Sequence, residues 1–347
     1  EAIGFLSEIN RIGVLKLVQN GAEIFKGAAR IARSEARGLK IFSGFALEQS
    51  QFDLLELRKR NAAAMADMAP EEAVAIEARY KAFCADAVYF VSSYLERIDH
   101  LVAPIESSMS PAESDDFACK LCLSAAPGWR AIIRQGNDLV IPYQRSKRER
   151  IAIKAYTERV ITRSLLEGEG WRRTYFKPMG YPGDFRIMNY IYGGEPVGTS
   201  VKSKFLHLLS LVGAEPVRTR MHRLAELIVE QTRHAPADAV LSVLSIGAGP
   251  ARETEELLRI SDPSRAWRVT LLDQEEEALE YAVAHLGAMA PPTRVETRAL
   301  NASFRDMLDP TPIAAHAEEC DVIYSSGLVD YLNPLVARRF VKRLYEL

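Results

Sequence analysis

The 347-residue chain has no apolar run approaching the ~18 residues that a membrane-spanning helix needs. Its first residues also lack the basic stretch, apolar core and small-residue cleavage site of a secretory leader. The expectation is a cytoplasmic protein without stable membrane insertion. Charge of one sign is missing too: 44 Lys and Arg against 46 Asp and Glu leave a net charge of −2. There is no basic excess to neutralise a phosphate backbone, so no nucleic-acid partner is expected. Cysteine is scarce, with only Cys84, Cys119, Cys122 and Cys320. Cys119-Lys-Leu-Cys122 has neither a second CxxC nor the paired histidines that would complete a zinc site, so reduced thiols and no metal are expected.

What is present falls into two textures. From residue 1 to about 235 the apolar spacing reads as almost entirely helical, beginning with Phe5, Ile9, Ile12, Val18 and Phe25 on one face and continuing through 72–105 and 148–167. Helix breakers are expected at 108–116, 124–129 and 136–138. Tyr181-Pro182-Gly183-Asp184 fits a type II turn with positive φ at Gly183, and Asp184 is placed to cap the helix that follows. A further helix is expected from Val217 to about Gln231. Beyond 238 the pattern alternates between apolar strands and helices, which predicts a parallel sheet covered on both faces. The boundaries read as a helical domain over 1–170, a helical linker or lid over 171–235, and a Rossmann-like α/β domain over 236–347.

The chemistry centres on "LSIGAGPARE", residues 244–253. Gly247 and Gly249 stand where the first strand turns into its helix, the place where an open parallel sheet binds its ligand. Glycine there permits a tight bend and close approach of a ligand. The third glycine of a dinucleotide fingerprint would fall at 252, where Arg252 stands instead, and no P-loop motif occurs. Asp273 ends the next strand, 24 positions past Gly249, placed to accept the hydroxyl protons of a ribose or to cap the following helix. A ribose without a pyrophosphate points to an adenosyl ligand.

Taken in succession, "LSIGAGPARE", "VTLLDQEEEAL", "LNASFRD" and "DVIYSSGLVDYL" resemble the motifs of class I S-adenosylmethionine-dependent methyltransferases over residues 238–347. With "FKPMGYPGDFRIMNYIY" ahead of them, residues 170–347 are similar to bacterial enzymes of extracellular factor 3-hydroxypalmitic acid methyl ester biosynthesis. The resemblance implies S-adenosyl-L-methionine as cofactor. It sets Gly247 and Gly249 against the methionine part, Asp273 on the ribose, Asn301, Ala302 and Ser303 around the adenine, and Ser325, Ser326 and Gly327 facing the sulfonium. Ser245 departs from the pattern, which often carries an acid there.

An O-methyltransferase acting on a carboxylate or hydroxyl of a small molecule, such as a hydroxy fatty acid, is the expected function. A carboxylate acceptor needs no base but wants a cationic anchor, for which Arg220 and Lys177 are candidates. A hydroxyl acceptor needs a base, from Asp330, His207 or His222. Tyr181, Asp184 and Tyr331 are expected to close over the cofactor, so that Tyr181, Arg220, Asp330 and Tyr331 form the candidate catalytic set. A nicotinamide oxidoreductase and a non-catalytic nucleoside-sensing regulator are the alternatives. A homodimer through the helical domain is expected, and so is a continuation of about three strands past Leu347 to cover the sheet edge.

Overall fold

The computed structural model describes residues 11–19, 22–37, 40–47, 74–289, 294–302 and 320–346. Two compact units emerge, one of Glu1–Ile76 with Ser146–Ala152, the other of Glu77–Arg145 with Ile153–Leu347.

In the first unit, β1 (Arg11–Gln19), β2 (Ala22–Arg37) and β3 (Lys40–Leu47) form an antiparallel sheet in sequential order. The register pairs Gln19 with Ala22 and Arg37 with Lys40, so both connections are two residues long. This overturns the helical reading of Ile12, Val18 and Phe25, while Phe5 and Ile9 lie outside the described residues. The cause is in the sequence: Asn20-Gly21 between two runs is a strong hairpin signal, and the apolar spacing here never settles into a 3.6-residue period.

The second unit opens with helices α1 (Ala78–Leu101), α2 (Pro111–Val140), α3 (Lys147–Val160), of which residues 153–160 belong here, α4 (Glu169–Phe176), α5 (Phe185–Gly193), α6 (Val201–Leu211) and α7 (Glu215–Thr232). Helix α2 begins with a capping box between Ser110 and Glu113 and runs 30 residues through Pro127. The breakers expected at 124–129 and 136–138 therefore sit inside a helix. Proline costs an interior helix about 3 kcal/mol, and tertiary packing offsets it here. Trp129 stacks on Phe90 at 6.1 Å and meets Trp171 edge-on. Gly128 and Gly136 serve as notches, since a Cβ would stand 2.6 Å from Phe90 and 2.8 Å from Phe83. Helix α6 is enclosed, with Val201, Phe205, Leu206 and Leu209 fully buried. No described helix is long and apolar enough to cross a membrane.

After residue 239 the expected alternation appears. Strands β4 (Val240–Ile246), β5 (Ala266–Asp273), β6 (Val295–Asn301) and β7 (Val322–Tyr324) pair in parallel in the order β6-β5-β4-β7, with α8 (Arg252–Ile260), α9 (Glu276–Met289) and α10 (Pro334–Glu346) between and after them. Alternate β4 residues face opposite sides. Leu241 and Val243 pack with Ala225, Ile228, Leu257, Leu279 and Ala282. Leu244 and Ile246 pack with Leu272 and Phe340. Both faces are covered, and each buried aliphatic contributes about 1.5–3 kcal/mol. The result is an α/β Rossmann-like domain preceded by a mostly helical region.

Candidate functional site

The chain leaves β4 toward β5 and later returns to β7 on the opposite side of β4, so the order reverses at β4. In such sheets a ligand sits beyond the strand ends at the reversal. Gly247 and Gly249 form that turn with φ of +69° and +51°, a region open to glycine and strained for other residues. The next bend uses Ala251 at φ +55° despite its side chain. Strain of this kind clusters where the surrounding structure fixes a functional backbone. The turn is tied to β5 by N–H bonds from Gly247 and Ala248 to the Leu272 carbonyl, at 2.8 and 3.0 Å.

Asp273 completes the connection. Its Oδ2 accepts the Gly249 N–H at 2.8 Å and its Oδ1 accepts the Glu275 N–H at 2.9 Å. Burial pushes the carboxyl above the usual carboxylate range, and backbone donors from Glu275, Gly249 and Gln274 oppose that. Neighbouring Glu275 is also raised, first by burial and then by Asp273, and its Oε1 has no hydrogen-bond partner among the described residues. Asn301 ends β6 opposite Asp273 and donates to the carbonyls of Asp273 and Gln274. Ala302 donates its N–H to Asp273 at 3.1 Å. Ser303 lies outside the described residues.

On the other flank, Ser325 Oγ donates to the Ile246 carbonyl at 2.9 Å, and Ser326 Oγ is buried without a partner among the described residues. Gly327 takes φ +84°, and a Cβ on it would stand 3.1 Å from an Arg220 nitrogen. Arg220 reaches this point from α7, 4.0 Å from exposed Asp330. Tyr181 and Tyr331 meet edge-on with centroids 5.7 Å apart. Burial raises both phenols, and the carboxylates of Asp273 and Glu275 add to the effect on Tyr181.

Several expectations change in detail. Gly183 is not among the positive-φ glycines, whereas Gly180 is, at +90°, so the turn at 181–184 is not the type II form expected. What Gly183 supplies is room, since a Cβ would lie 2.2 Å from the Tyr331 hydroxyl. Asp184 caps α5 as expected, accepting from the Arg186 and Ile187 backbones, and its Oδ1 also takes the Arg173 guanidinium at 2.7 Å. His207 is fully buried, its Nδ1 accepting the Gly170 N–H. His222 bonds to Glu256, and Lys177 ends α4 in the left-handed conformation. Ser245 is buried beneath the turn beside the Tyr324 hydroxyl.

Two residues the sequence did not single out enter the site. Glu253, the second residue of α8, is 5% exposed and accepts the Tyr192 hydroxyl at 2.9 Å. In sequence Glu253 is one of several acids in a helix first turn, and Tyr192 one of several aromatics in a helical stripe.

Among the described residues the features fit an adenosyl donor: bare backbone at Gly249 with open space before it, an acidic strand tip bonded to that backbone, and polar atoms without partners on Ser326 and Glu275. They do not suit a pyrophosphate. Arg252 occupies the start of α8 and bonds to Asn189 and Tyr281 at 3.2 and 3.1 Å.

No family model matches the chain, and no curated protein matches it. Among solved structures, a CurJ carbon methyltransferase is similar over 84% of this chain and 76% of its own, at 14% identity and a TM-score of 0.37. An O-methyltransferase family protein from Burkholderia thailandensis is similar over 79% and 77%, at 17% identity and a TM-score of 0.30. A Methanococcus maripaludis protein assigned as an S-adenosyl-L-methionine-dependent methyltransferase matches 38% of this chain at 19% identity and a TM-score of 0.26, and the chain spans 53% of its length.

Proposed function

We propose that the chain is an S-adenosyl-L-methionine-dependent methyltransferase that transfers a methyl group to an oxygen of a small molecule, a hydroxy fatty acid being the type of acceptor. One observation carries the reading: the Gly249 N–H and the Asp273 carboxylate are joined at 2.8 Å, so ligand-approaching backbone and ribose-type acceptor form one unit. The donor, when bound, supplies a methyl on a positively charged sulfur. Gly247 and Gly249 give it backbone access, Asp273 receives the ribose hydroxyls, and Asn301 with Ala302 borders the base. Methyl transfer of this kind asks the protein for alignment and exclusion of water more than for acid–base chemistry. Tyr181 and Tyr331 offer ring faces suited to a cation and cover the entrance. A carboxylate acceptor arrives already ionised, whereas a hydroxyl acceptor would give up its proton to the Asp330 carboxylate.

Calorimetry with S-adenosylmethionine, S-adenosylhomocysteine and NADH tests the donor, and the accurate mass of a product labelled from methyl-labelled donor in a native metabolite pool tests the acceptor. Binding of the two sulfur nucleosides and a product heavier by one methyl group are expected. Tight NADH binding with no heat from either sulfur nucleoside would replace the reading with an oxidoreductase. Binding without any methylated product would leave a nucleoside sensor.

A further inference from the structure

Beside the glycine turn, opposite charges flank one phenol. The Tyr192 hydroxyl at the end of α5 donates to Glu253 Oε1 at 2.9 Å, and the Arg220 guanidinium comes up to the same hydroxyl from α7. Neither charge is fully matched. Glu253 is buried, and among the described residues no cation comes within ion-pair distance of it. Arg220 Nε is buried without a hydrogen-bond partner among the described residues. Its one ion pair there is the loose 4.0 Å contact with Asp330, whose side chain is 76% exposed. A buried carboxylate held by a single phenol carries a desolvation cost that an incoming ammonium would relieve. A guanidinium edge with an idle nitrogen is shaped for a carboxylate, which it can grip through two parallel hydrogen bonds.

The location gives these charges a purpose. Glu253 lies four positions past Gly249, and Arg220 lies against Gly327, where a side chain at 327 would press on the guanidinium. The missing Cβ at 327 therefore keeps Arg220 at the end of β7, facing the crevice between β7 and the turn after β4. Burial and the Glu253 carboxylate raise the Tyr192 hydroxyl, which stays protonated as a spacer between the two.

We propose that Glu253 and Arg220, spaced by Tyr192, form a clamp for a zwitterionic α-amino acid group, the ammonium on Glu253 and the carboxylate on Arg220. The inference rests on the reading of the site as one for S-adenosylmethionine, whose amino-acid end is such a group. It assigns Arg220 to the donor in place of the acceptor, and makes both residues positioning residues. Their work is to pull the nucleoside's tail toward β7 and so aim the sulfonium.

The test is calorimetry on the full chain with two ligands that share a thioadenosine. S-adenosylhomocysteine carries the amino-acid end, and 5′-methylthioadenosine ends in a methyl group. Wild-type protein should prefer S-adenosylhomocysteine by about tenfold or more. Arg220→Met and Glu253→Gln should each remove most of that preference while leaving 5′-methylthioadenosine within about twofold of wild type. Retained methylthioadenosine binding also shows that the variants are folded. Should they fail to bind either ligand, Arg220→Lys and Glu253→Asp decide, with a partly retained preference supporting the clamp and an undiminished one refuting it. Equal wild-type affinity for both ligands, or equal losses for both in the variants, overturns the clamp and leaves the nucleoside reading standing. Wild-type protein that binds neither ligand overturns both.

Discussion

Replacing Asp184 by alanine should be among the most damaging single changes in the second unit. The carboxylate is 1% exposed, and one oxygen, Oδ1, receives three donors: Arg173 Nε at 2.7 Å and the Arg186 and Ile187 amides at 3.1 Å. Loss of a helix cap costs about 1 kcal/mol. Leaving the largely buried Arg173 without its partner costs about 3–5 kcal/mol. Because the interactions share one atom the losses overlap, and about 4 kcal/mol is expected in total. Domains of ordinary stability hold about 5–15 kcal/mol, so this would remove much of the margin. Asparagine keeps an acceptor for both amides and gives up only the charge, for an expected loss of about 2 kcal/mol. Urea unfolding at pH 7, with the slope checked for constancy, measures both. A double variant, Asp184→Ala with Arg173→Met, should be less destabilised than the sum of its singles, since it no longer buries an orphaned cation. An alanine variant within about 1 kcal/mol of wild type, or an asparagine variant as damaged as alanine, would refute a buried ion pair at this turn.

Three further expectations follow from the same geometry. Gly247→Ala and Gly249→Ala each force a side chain into left-handed backbone at about 1–2 kcal/mol, but the new Cβ at 247 would also stand 3.2 Å from Leu328 Cβ, whereas one at 249 would meet open space among the described residues. Thermal unfolding should show the larger drop for Gly247→Ala, and calorimetry should show Gly249→Ala losing nucleoside affinity beyond what its stability predicts. Burial holds the His207 imidazole down at about 4, so the unfolded chain binds this proton more readily than the folded one between roughly pH 4 and 6.5. Its contribution is complete above that window, and about 3 kcal/mol is lost as pH falls through it; urea midpoints at pH 4.5 and 7 should differ less in His207→Gln than in wild type. Gly183→Ala should push Tyr331 aside and break its edge contact with Tyr181, worth about 0.5–1.5 kcal/mol. Pairing it with Tyr331→Ala should restore the turn's stability, read by thermal unfolding, with no further loss.

Where the sequence was informative, the reason is that buried parallel strands read as short apolar runs and their turns as glycine or acid. "VLSVLSI" is a strand from its first residue to its last, and the positions of Gly247, Gly249, Asp273 and Asn301 at strand ends follow from the alternation alone. The N-terminal sheet is poorly legible because widely spaced apolar residues suit one helical face as well as a strand, and only Asn20-Gly21 between two runs signals a hairpin. The 30-residue helix is hidden because Pro127, Gly128 and Gly136 are helix breakers by local pattern. The fit of Gly128 against Phe90 and of Gly136 against Phe83 depends on residues 38 and 53 positions away, which no local pattern reports. Glu253 and Tyr192 were invisible for the same reason: a carboxylate acquires meaning only when 61 residues of chain bring a phenol to it.

Arg252 has a consequence for any attempt to retune the ligand. Its guanidinium reaches Asn189 on one helix, Tyr281 and His285 on another and Glu255 on its own, so it fastens three helices beside the turn. Installing glycine there to admit a dinucleotide would unfasten all three at once. Ligand choice and local cohesion are thus vested in one side chain, and evolution could not readily trade the first without forfeiting the second.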